Sequence, residues 1–168
     1  MLKRKDSFLL LAATLLLAAC GTKETTPQVE GLYTYAHAFN YDLHGAHLDV
    51  QETGTMDFLP DGTALDSARQ VYVAVLPEGD THTFVFNYIS PSRWQLEGDT
   101  MHFAGIKEAF RMTVIEGDAS PLSQEIIQAV GGSIDYAYKF HLDSLTATKM
   151  QWSFTYRDGH SDSWEFYR

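Results

Sequence analysis

The chain of 168 residues carries 12 Lys and Arg against 22 Asp and Glu, a formal net charge of −10 at pH 7. Hydrophobic residues make up 45% and charged residues 20% of the chain, with 12 Gly, 5 Pro and a single Cys, as in one ordinary globular domain. These proportions exclude a disordered chain, a collagen-like repeat and a disulfide-rich scaffold.

The first 19 residues have the three parts of a secretory signal peptide. Basic residues at 3–5 precede an apolar run at 8–19, which ends in small residues. A membrane-spanning helix needs roughly 20 apolar residues, so this run is too short for a permanent transmembrane anchor. We therefore expect residues 1–19 to be removed during export.

A lipid attachment site follows directly. The segment Leu17-Ala18-Ala19-Cys20 resembles the lipobox of bacterial lipoproteins, in which the cysteine sulfur receives a diacylglyceryl group and the leader is cut before it. Cys20 is the only cysteine, so it has no internal disulfide partner in an oxidising compartment. We expect a lipid on Cys20 to hold the protein on a membrane of the cell envelope, at its periplasmic face or at the outer-membrane surface. The alternative is a plain signal peptide with an unmodified cysteine.

The charge of the mature chain bears on its partners. Removal of residues 1–19 takes away three cations and one anion, which leaves 9 basic and 21 acidic residues and a net charge of −12. A field of this sign repels phosphate backbones, so we expect no nucleic-acid partner. Anionic lipid headgroups would also repel the body, and the lipid is expected to provide the attachment.

Polar residues separate the lipid site from the folded body. Residues 20–30 lack helical or strand periodicity and contain Pro27, so we interpret them as a lipidated cysteine and a flexible tether. Residues 31–168 contain no repeat and no second linker. They are expected to form one domain, large enough to bury a core without disulfides.

Alternation of large and small or polar side chains dominates the body and predicts β-strands. Two neighbouring pairs of runs are close enough to form single bent strands, so we expect eight to ten strands. The runs are residues 32–41, 48–59, 63–75, 82–88, 93–97, 100–104, 109–116, 136–140, 145–157 and 161–168.

The connections indicate an antiparallel meander. Gly stands beside Asp or Pro at 60–62, 77–80, 97–99 and 157–159, as tight hairpins require. Aromatic residues occur at both ends of the body, and pairing of the first and last strands would remove two exposed edges. We therefore predict an all-β fold, a meander closed into a barrel; the alternative is a two-sheet β-sandwich.

One short helix interrupts the strands. Ser120 is a natural N-cap, Pro121 suits the first helical position, and Leu122, Ile126 and Val130 share one face. The pair Gly131-Gly132 is predicted to end this helix, which we expect to close or flank one end of the barrel.

Three segments of the body resemble the small lipocalin-like lipoproteins of Gram-negative bacteria. They are Gly31-Leu32-Tyr33, residues 58–63 across one hairpin and residues 94–103 across another. This resemblance implies a calycin-type, lipocalin-like barrel.

An eight-stranded barrel is either filled by its own side chains or holds one small ligand. Six aromatic residues are predicted to point inward and to line such a cavity, and dense aromatic packing that fills the core is the alternative. The candidate lining residues are Phe84, Phe86, Tyr136, Tyr138, Trp152 and Phe154.

Histidines in the first hairpin raise the question of a metal site. His44 and His47, flanked by Asp42 and Asp49 and with His37 on the same strand, have a spacing that allows two imidazoles to reach one ion. No third ligand is identified by spacing, and a solvated loop is the alternative. We assign no metal ligand and no cofactor.

The last hairpin contains residue types of a hydrolytic triad. Asp158, His160, Asp162 and Ser163 crowd into one turn, whereas a triad needs members that converge from separate elements. We assign no catalytic residue; an enzyme would need a cleft of convergent titratable groups with displaced pKa values.

The sequence thus predicts a membrane-anchored lipoprotein whose barrel binds a small apolar or aromatic ligand. The alternative is a structural or protein-interaction lipoprotein of the cell envelope with a solid barrel core, which contacts an envelope protein.

Overall fold

The computed structural model of the chain describes residues 28–117, 119–156 and 159–168. The leader, the lipidation site at Cys20, most of the tether and two residues of the last hairpin turn lie outside the described residues. Within the described ranges, no helix is both long and apolar enough to cross a bilayer.

Nine strands and one α-helix make up the described parts of the chain, within the range expected from the sequence. The helix α1 is Pro121–Ser133, and a single 3-10 turn is Lys107–Ala109. The strands are β1 (Gly31–Leu43), β2 (Ala46–Phe58), β3 (Thr63–Val75), β4 (Thr81–Glu97), β5 (Thr100–Gly105), β6 (Arg111–Glu116), β7 (Ala137–Leu145), β8 (Lys149–Thr155) and β9 (Ser161–Tyr167).

Eight of the strands close into an antiparallel barrel in the order β1-β2-β3-β4-β5-β7-β8-β9. The seam joins the first strand to the last, because Thr34 pairs with Tyr167 and Tyr35 pairs with Phe166. The expected all-β closed barrel is therefore confirmed, the two-sheet sandwich is not formed, and the architecture is consistent with a lipocalin-like fold.

The long strand β4 accounts for the ninth strand. Its first half pairs with β6 through residues 85–89, and its second half pairs with β5 through residues 92–97. The partner changes at Pro91, which has no N–H to donate. Two predicted strands, 82–88 and 93–97, are thus one continuous strand.

Helix α1 begins where the sequence predicts. The Ser120 side chain accepts a hydrogen bond from the backbone N–H of Ser123, and the Ser123 side chain accepts one from the N–H of Ser120. The prediction that Gly131-Gly132 ends the helix was wrong, since α1 continues to Ser133. A Cβ at Gly131 would lie 3.3 Å from the Phe110 ring, so the small residue allows close packing of the helix.

The predicted strand at 145–157 was also wrong at its start. Leu145 ends β7, and β8 begins at Lys149. Thr146 forms the turn between them, because its side chain accepts a hydrogen bond from the N–H of Lys149 at 2.9 Å. This turn contains no Gly or Pro, which explains why the sequence pattern missed it.

Two hydrophobic clusters fill the opposite ends of the barrel. Val29, which we assigned to the tether, is 4% exposed and belongs to the first cluster, so the packed body extends to this residue. The buried members of the first are Val29, Tyr33, Tyr35, Met56, Phe58, Ala64, Ala68, Met101, Phe103, Met150, Trp152 and Phe166. Those of the second are Ala46, Leu48, Val50, Tyr72, Ala74, Phe84, Phe86, Met112 and Ile126.

Candidate functional site

Two carboxyl side chains lie inside the barrel between these clusters. On β2, Leu48 and Val50 are buried in one cluster and Met56 in the other, and Glu52 occupies the same face between them. On β3, Asp66 lies on the face that carries the buried residues Ala64 and Ala68. Strand alternation therefore directs both acids inward.

A tyrosine from a third strand joins the two acids. The Tyr35 hydroxyl oxygen lies 2.8 Å from Glu52 Oε1 and 2.6 Å from Asp66 Oδ1. A tyrosine hydroxyl has one hydrogen, so it donates to only one of these oxygens. The second contact becomes a hydrogen bond when one carboxyl is protonated and donates to the Tyr35 oxygen.

We call Glu52 and Asp66 the interior acid pair. The raised pKa of Asp66 indicates that this carboxyl carries a proton near neutral pH. Burial first, and the nearby Glu52 second, raise the pKa of Asp66 to about 8. Burial also raises the pKa of Glu52, while hydrogen bonds from Tyr35 and Gln70 oppose this shift. At neutral pH, protonated Asp66 therefore donates to Tyr35, and Tyr35 donates to Glu52.

Two cavities meet at the interior acid pair. The smaller has a volume of about 190 Å³ and lies among aromatic rings that include Phe103, Phe140 and Trp152. The larger has a volume of about 620 Å³ and reaches exposed Asn40 at the end of the barrel that α1 covers. Their shared wall residues are Glu52, Asp66 and Trp164.

Helix α1 and three tyrosines shape the larger cavity. Val130 and Ser133 line it from the helix, and Tyr41, Tyr72 and Tyr88 line it from the barrel. Burial raises the pKa of each of these tyrosines, so their hydroxyls are neutral at physiological pH. These three tyrosines thus give the wall aromatic surface with uncharged hydroxyls beside the acids Glu52 and Asp66.

Three buried polar atoms of the walls have no hydrogen-bond partner among the described residues. They are His37 Nε2 and the Tyr41 hydroxyl in the larger cavity and Trp152 Nε1 in the smaller one. Trp152 is 4% exposed. Buried polar atoms are nearly always paired in proteins, so unpaired ones at a cavity wall mark positions where a ligand or water completes the bonding.

The structure separates the six aromatic residues that the sequence proposed as a cavity lining. Trp152 lines the smaller cavity and Tyr138 the larger one. Phe84 and Phe86, at 2% and 0% exposure, pack in the second hydrophobic cluster and line neither cavity. Phe154 packs beside Phe140, with ring centroids 5.6 Å apart.

The inward orientation predicted for Tyr136 was wrong. This residue is 66% exposed and precedes β7, which begins at Ala137. Its N–H donates to the Ser133 carbonyl in the turn that follows α1. The alternation of Tyr136, Tyr138 and Phe140 was extended one residue too far, into this turn.

The histidines of the first hairpin lie at the surface. His47 Nδ1 is 2.8 Å from Asp42 Oδ1, and its Nε2 is 3.6 Å from Asp49 Oδ1. The hydrogen bond that His47 donates to Asp42 raises the pKa of His47. His44 occupies the turn at a φ of 51°. Within residues 28–117, 119–156 and 159–168, no group of three or more His, Cys, Asp or Glu residues has metal-site geometry.

The described residues of the last hairpin do not form a triad. Asp162 lines the larger cavity and accepts a hydrogen bond from the Tyr156 hydroxyl at 3.0 Å. Ser163 is exposed and faces the opposite side of β9. Asp158 lies outside the described residues.

Sequence analysis missed the interior acid pair, although a signal was present. Continuing the alternation of Leu48 and Val50 by one step along β2 places Glu52 on the inward face. The same step from Ala64 along β3 reaches Asp66. The prediction of inward-facing residues considered aromatic side chains, so neither acid was included in the candidate lining.

The comparison with known proteins gives no family. No protein-family model matches the chain, and no curated protein matches it. The barrel and its interior are therefore the basis for any functional assignment.

Proposed function

We propose that this protein is a lipid-anchored binding protein of the bacterial cell envelope, which holds a small apolar or aromatic ligand inside its barrel. The observation that carries the binding function is the pair of adjoining cavities, about 190 Å³ and about 620 Å³, with aromatic walls. Ligand sites in proteins are typically concave and largely apolar, with a few polar groups that orient the ligand. These cavities have that composition.

The cavities also distinguish this proposal from a solid structural barrel. A filled barrel leaves no room near its centre, whereas here space remains beside Glu52, Asp66 and Trp164. The unpartnered Trp152 indole N–H lies in the same wall. We therefore favour binding over a purely structural or protein-interaction role.

A fluorescent probe tests the binding function. N-phenyl-1-naphthylamine is uncharged near neutral pH and brightens in apolar surroundings, so it should show saturable fluorescence with the purified protein. Val130→Phe, which enlarges a side chain in the wall of the larger cavity, should weaken binding. Gln128→Phe adds the same ring on an exposed position of α1 and should leave binding unchanged. Equal affinity for all three proteins, or none for the wild type, would contradict the proposal.

The proposal of a lipid anchor rests on the lipobox around Cys20 alone. Cys20→Ser should abolish incorporation of radiolabelled fatty acid and release the protein from envelope membranes, because the mature chain then lacks its acyl chains. A serine variant that stays in the membrane fraction as firmly as the wild type would refute the anchor. Either result leaves the binding function unaffected, because the fluorescent probe tests that function separately.

The interior acid pair favours one second candidate, acid–base catalysis. Asp66, whose raised pKa keeps it protonated near neutral pH, supplies an acid beside the second carboxyl of Glu52. Hydrolysis of 4-nitrophenyl acetate that exceeds the background and is lost in Asp66→Asn would support this candidate. Equal rates for the variant and the wild type would count against it.

A further inference from the structure

The interior acid pair has no cation to balance it within the described walls. Neither Lys nor Arg lines either cavity. Three cations of the described chain instead form ion pairs with acids at the surface. These pairs are Arg69 with Glu116, Lys107 with Asp135 and Lys149 with Glu165. An ionised carboxylate away from water is costly unless it is paired, so in the empty protein a proton provides the balance.

The titratable groups around the cavities whose pKa values are displaced do not supply positive charge. Tyr35 from β1, Tyr72 from β3 and Tyr88 from β4 are neutral at physiological pH because burial raises the pKa of each. Tyr138 from β7, Asp162 from β9 and His160, which directly precedes β9, line the larger cavity as well. Burial lowers the pKa of His37 on β1, which favours its neutral imidazole near pH 7. The interior is therefore electronegative.

Aromatic rings surround the acids. Trp164 lines both cavities, Phe140 the smaller one, and Tyr72 and Tyr88 the larger one. The face of an aromatic ring attracts a cation, by about 0.5–1 kcal/mol at exposed sites and more when the cation is desolvated. A carboxyl pair enclosed by such rings matches a ligand with a positive head and an apolar body.

An unpartnered polar atom beside the acids points to a ligand independently of charge. Trp152 Nε1 lies in the cavity wall that also contains Glu52 and Asp66, is buried, and has no partner among the described residues. The described residues thus leave the indole N–H of this lining residue without an acceptor.

We infer that the ligand of this barrel is an organic amine, whose ammonium group binds between Glu52 and Asp66 while its apolar or aromatic body occupies the larger cavity. The inference rests on the proposed binding function and narrows its ligand class. The ammonium donates N–H bonds to the carboxylates, and the proton held by Asp66 leaves to the buffer. An anionic ligand is excluded from the same place by repulsion.

Three matched probes test the charge preference by calorimetric titration near pH 7. Phenethylamine carries an ammonium, 2-phenylethanol replaces it with a hydroxyl, and 3-phenylpropionate replaces it with a carboxylate. We expect phenethylamine to bind about tenfold or more tightly than 2-phenylethanol, and 3-phenylpropionate to bind most weakly. Repeating the phenethylamine titration in buffers of different ionisation enthalpy should reveal release of up to one proton.

Isosteric variants test whether Glu52 and Asp66 cause the preference for phenethylamine. Glu52→Gln and Asp66→Asn should each reduce the preference for phenethylamine over 2-phenylethanol to near unity, and Asp66→Asn should also abolish proton release. Asp49→Asn removes a carboxylate of the same strand that is 60% exposed and should change neither quantity. The buffer dependence of the wild type needs no variant, so the inference remains testable if a variant fails to fold.

The outcomes separate this inference from the proposed function. Equal affinity for phenethylamine and 2-phenylethanol, or binding of phenethylamine without proton release, would overturn the amine ligand and leave the binding function intact. The same holds if N-phenyl-1-naphthylamine binds and phenethylamine does not displace it. Failure of all four probes to bind would overturn both.

Discussion

The Asp66 carboxyl meets the Tyr35 hydroxyl at 2.6 Å, although their strands are not neighbours in the barrel. Strand β2 runs between β1 and β3, and it contributes Glu52 to the same hydroxyl. Three consecutive strands are therefore linked through one polar group inside an otherwise aromatic interior. Because one of the acids holds a proton, the link depends on pH.

The raised pKa of Asp66 predicts how stability varies with pH. Folding moves this pKa from its ordinary value of 3.8 to about 8, so between these values the folded protein binds a proton that the unfolded chain has released. The free energy of unfolding contributed by Asp66 therefore falls as pH rises from about 4 to about 8, by on the order of a few kcal/mol. Asp66→Asn should reduce this slope, as measured by urea denaturation across the range, and Glu52, whose pKa burial also raises, should account for a remaining part of it.

Comparison of the two proteins isolates Asp66 from His37. The lowered pKa of His37 gives an opposite slope, with stability rising as pH increases through the ordinary histidine pKa of 6.5. That contribution is present in both proteins and cancels in the difference. Parallel stability curves for the wild type and Asp66→Asn would contradict the buried, protonated acid.

Phe58 is predicted to be the most sensitive single position of the first hydrophobic cluster. It is 1% exposed, and its ring lies 5.3 Å from that of Trp94 and 5.8 Å from that of Tyr33. Phe58→Ala should lower the free energy of unfolding by about 3–5 kcal/mol through lost burial and a new cavity. Phe58→Leu keeps most of the volume and should cost about 1.5 kcal/mol or less. Similar losses for both variants in urea denaturation would show that the cavity argument is wrong.

Arg168 is predicted to stabilise the seam of the barrel. Its guanidinium donates to the backbone carbonyls of Gln28 and Glu30 and lies 4.7 Å from the ring centroid of Tyr33. Arg168→Ala should lower the free energy of unfolding by about 1–2 kcal/mol, since the group is exposed and each contact is worth little in water. Arg168→Lys should lower the free energy of unfolding less than Arg168→Ala does, because lysine keeps the positive charge but lacks the several N–H donors of the guanidinium. An unchanged thermal midpoint in Arg168→Ala would show that Arg168 does not stabilise the seam.

Ser120 is predicted to matter through the start of α1. Ser120→Ala removes the acceptor for the N–H of Ser123 and should destabilise the protein by about 1 kcal/mol. Ser120→Asp keeps a side-chain acceptor and adds a favourable charge at the helix N-terminus, so it should retain stability. If alanine and aspartate give the same thermal midpoint, the cap does not contribute as argued.

Most of the architecture follows from local chemistry. Alternating residues in β1 to β3, together with Asp61-Gly62 and the Ser120 cap, are short-range signals, and closure follows from the need to cover two strand edges. The prediction gave the single strand β4 as two runs, 82–88 and 93–97, and Pro91 lies between them. Whether a strand accommodates Pro91 depends on which neighbouring strand this residue faces, and only the assembled sheet determines that neighbour.

The interior site was less accessible from the sequence. The inward direction of Glu52 and Asp66 follows from strand phase, but their meeting at Tyr35 depends on the register of three strands. For example, Glu52 pairs with His37 on one side and with Gln70 on the other. A shift of one residue would turn either acid outward, and no local motif specifies these pairings.

The most direct measurement of ligand binding inside the barrel uses the indole N–H resonances of the 3 tryptophans. Trp152 and Trp164 line the cavities, whereas the Trp94 indole donates to the Thr63 carbonyl at 2.9 Å and lines neither of them. Titration of the isotope-labelled protein with N-phenyl-1-naphthylamine should shift the Trp152 and Trp164 signals saturably and leave Trp94 in place. Saturable shifts confined to Trp94, or no shift at any indole, would contradict a ligand held in the interior.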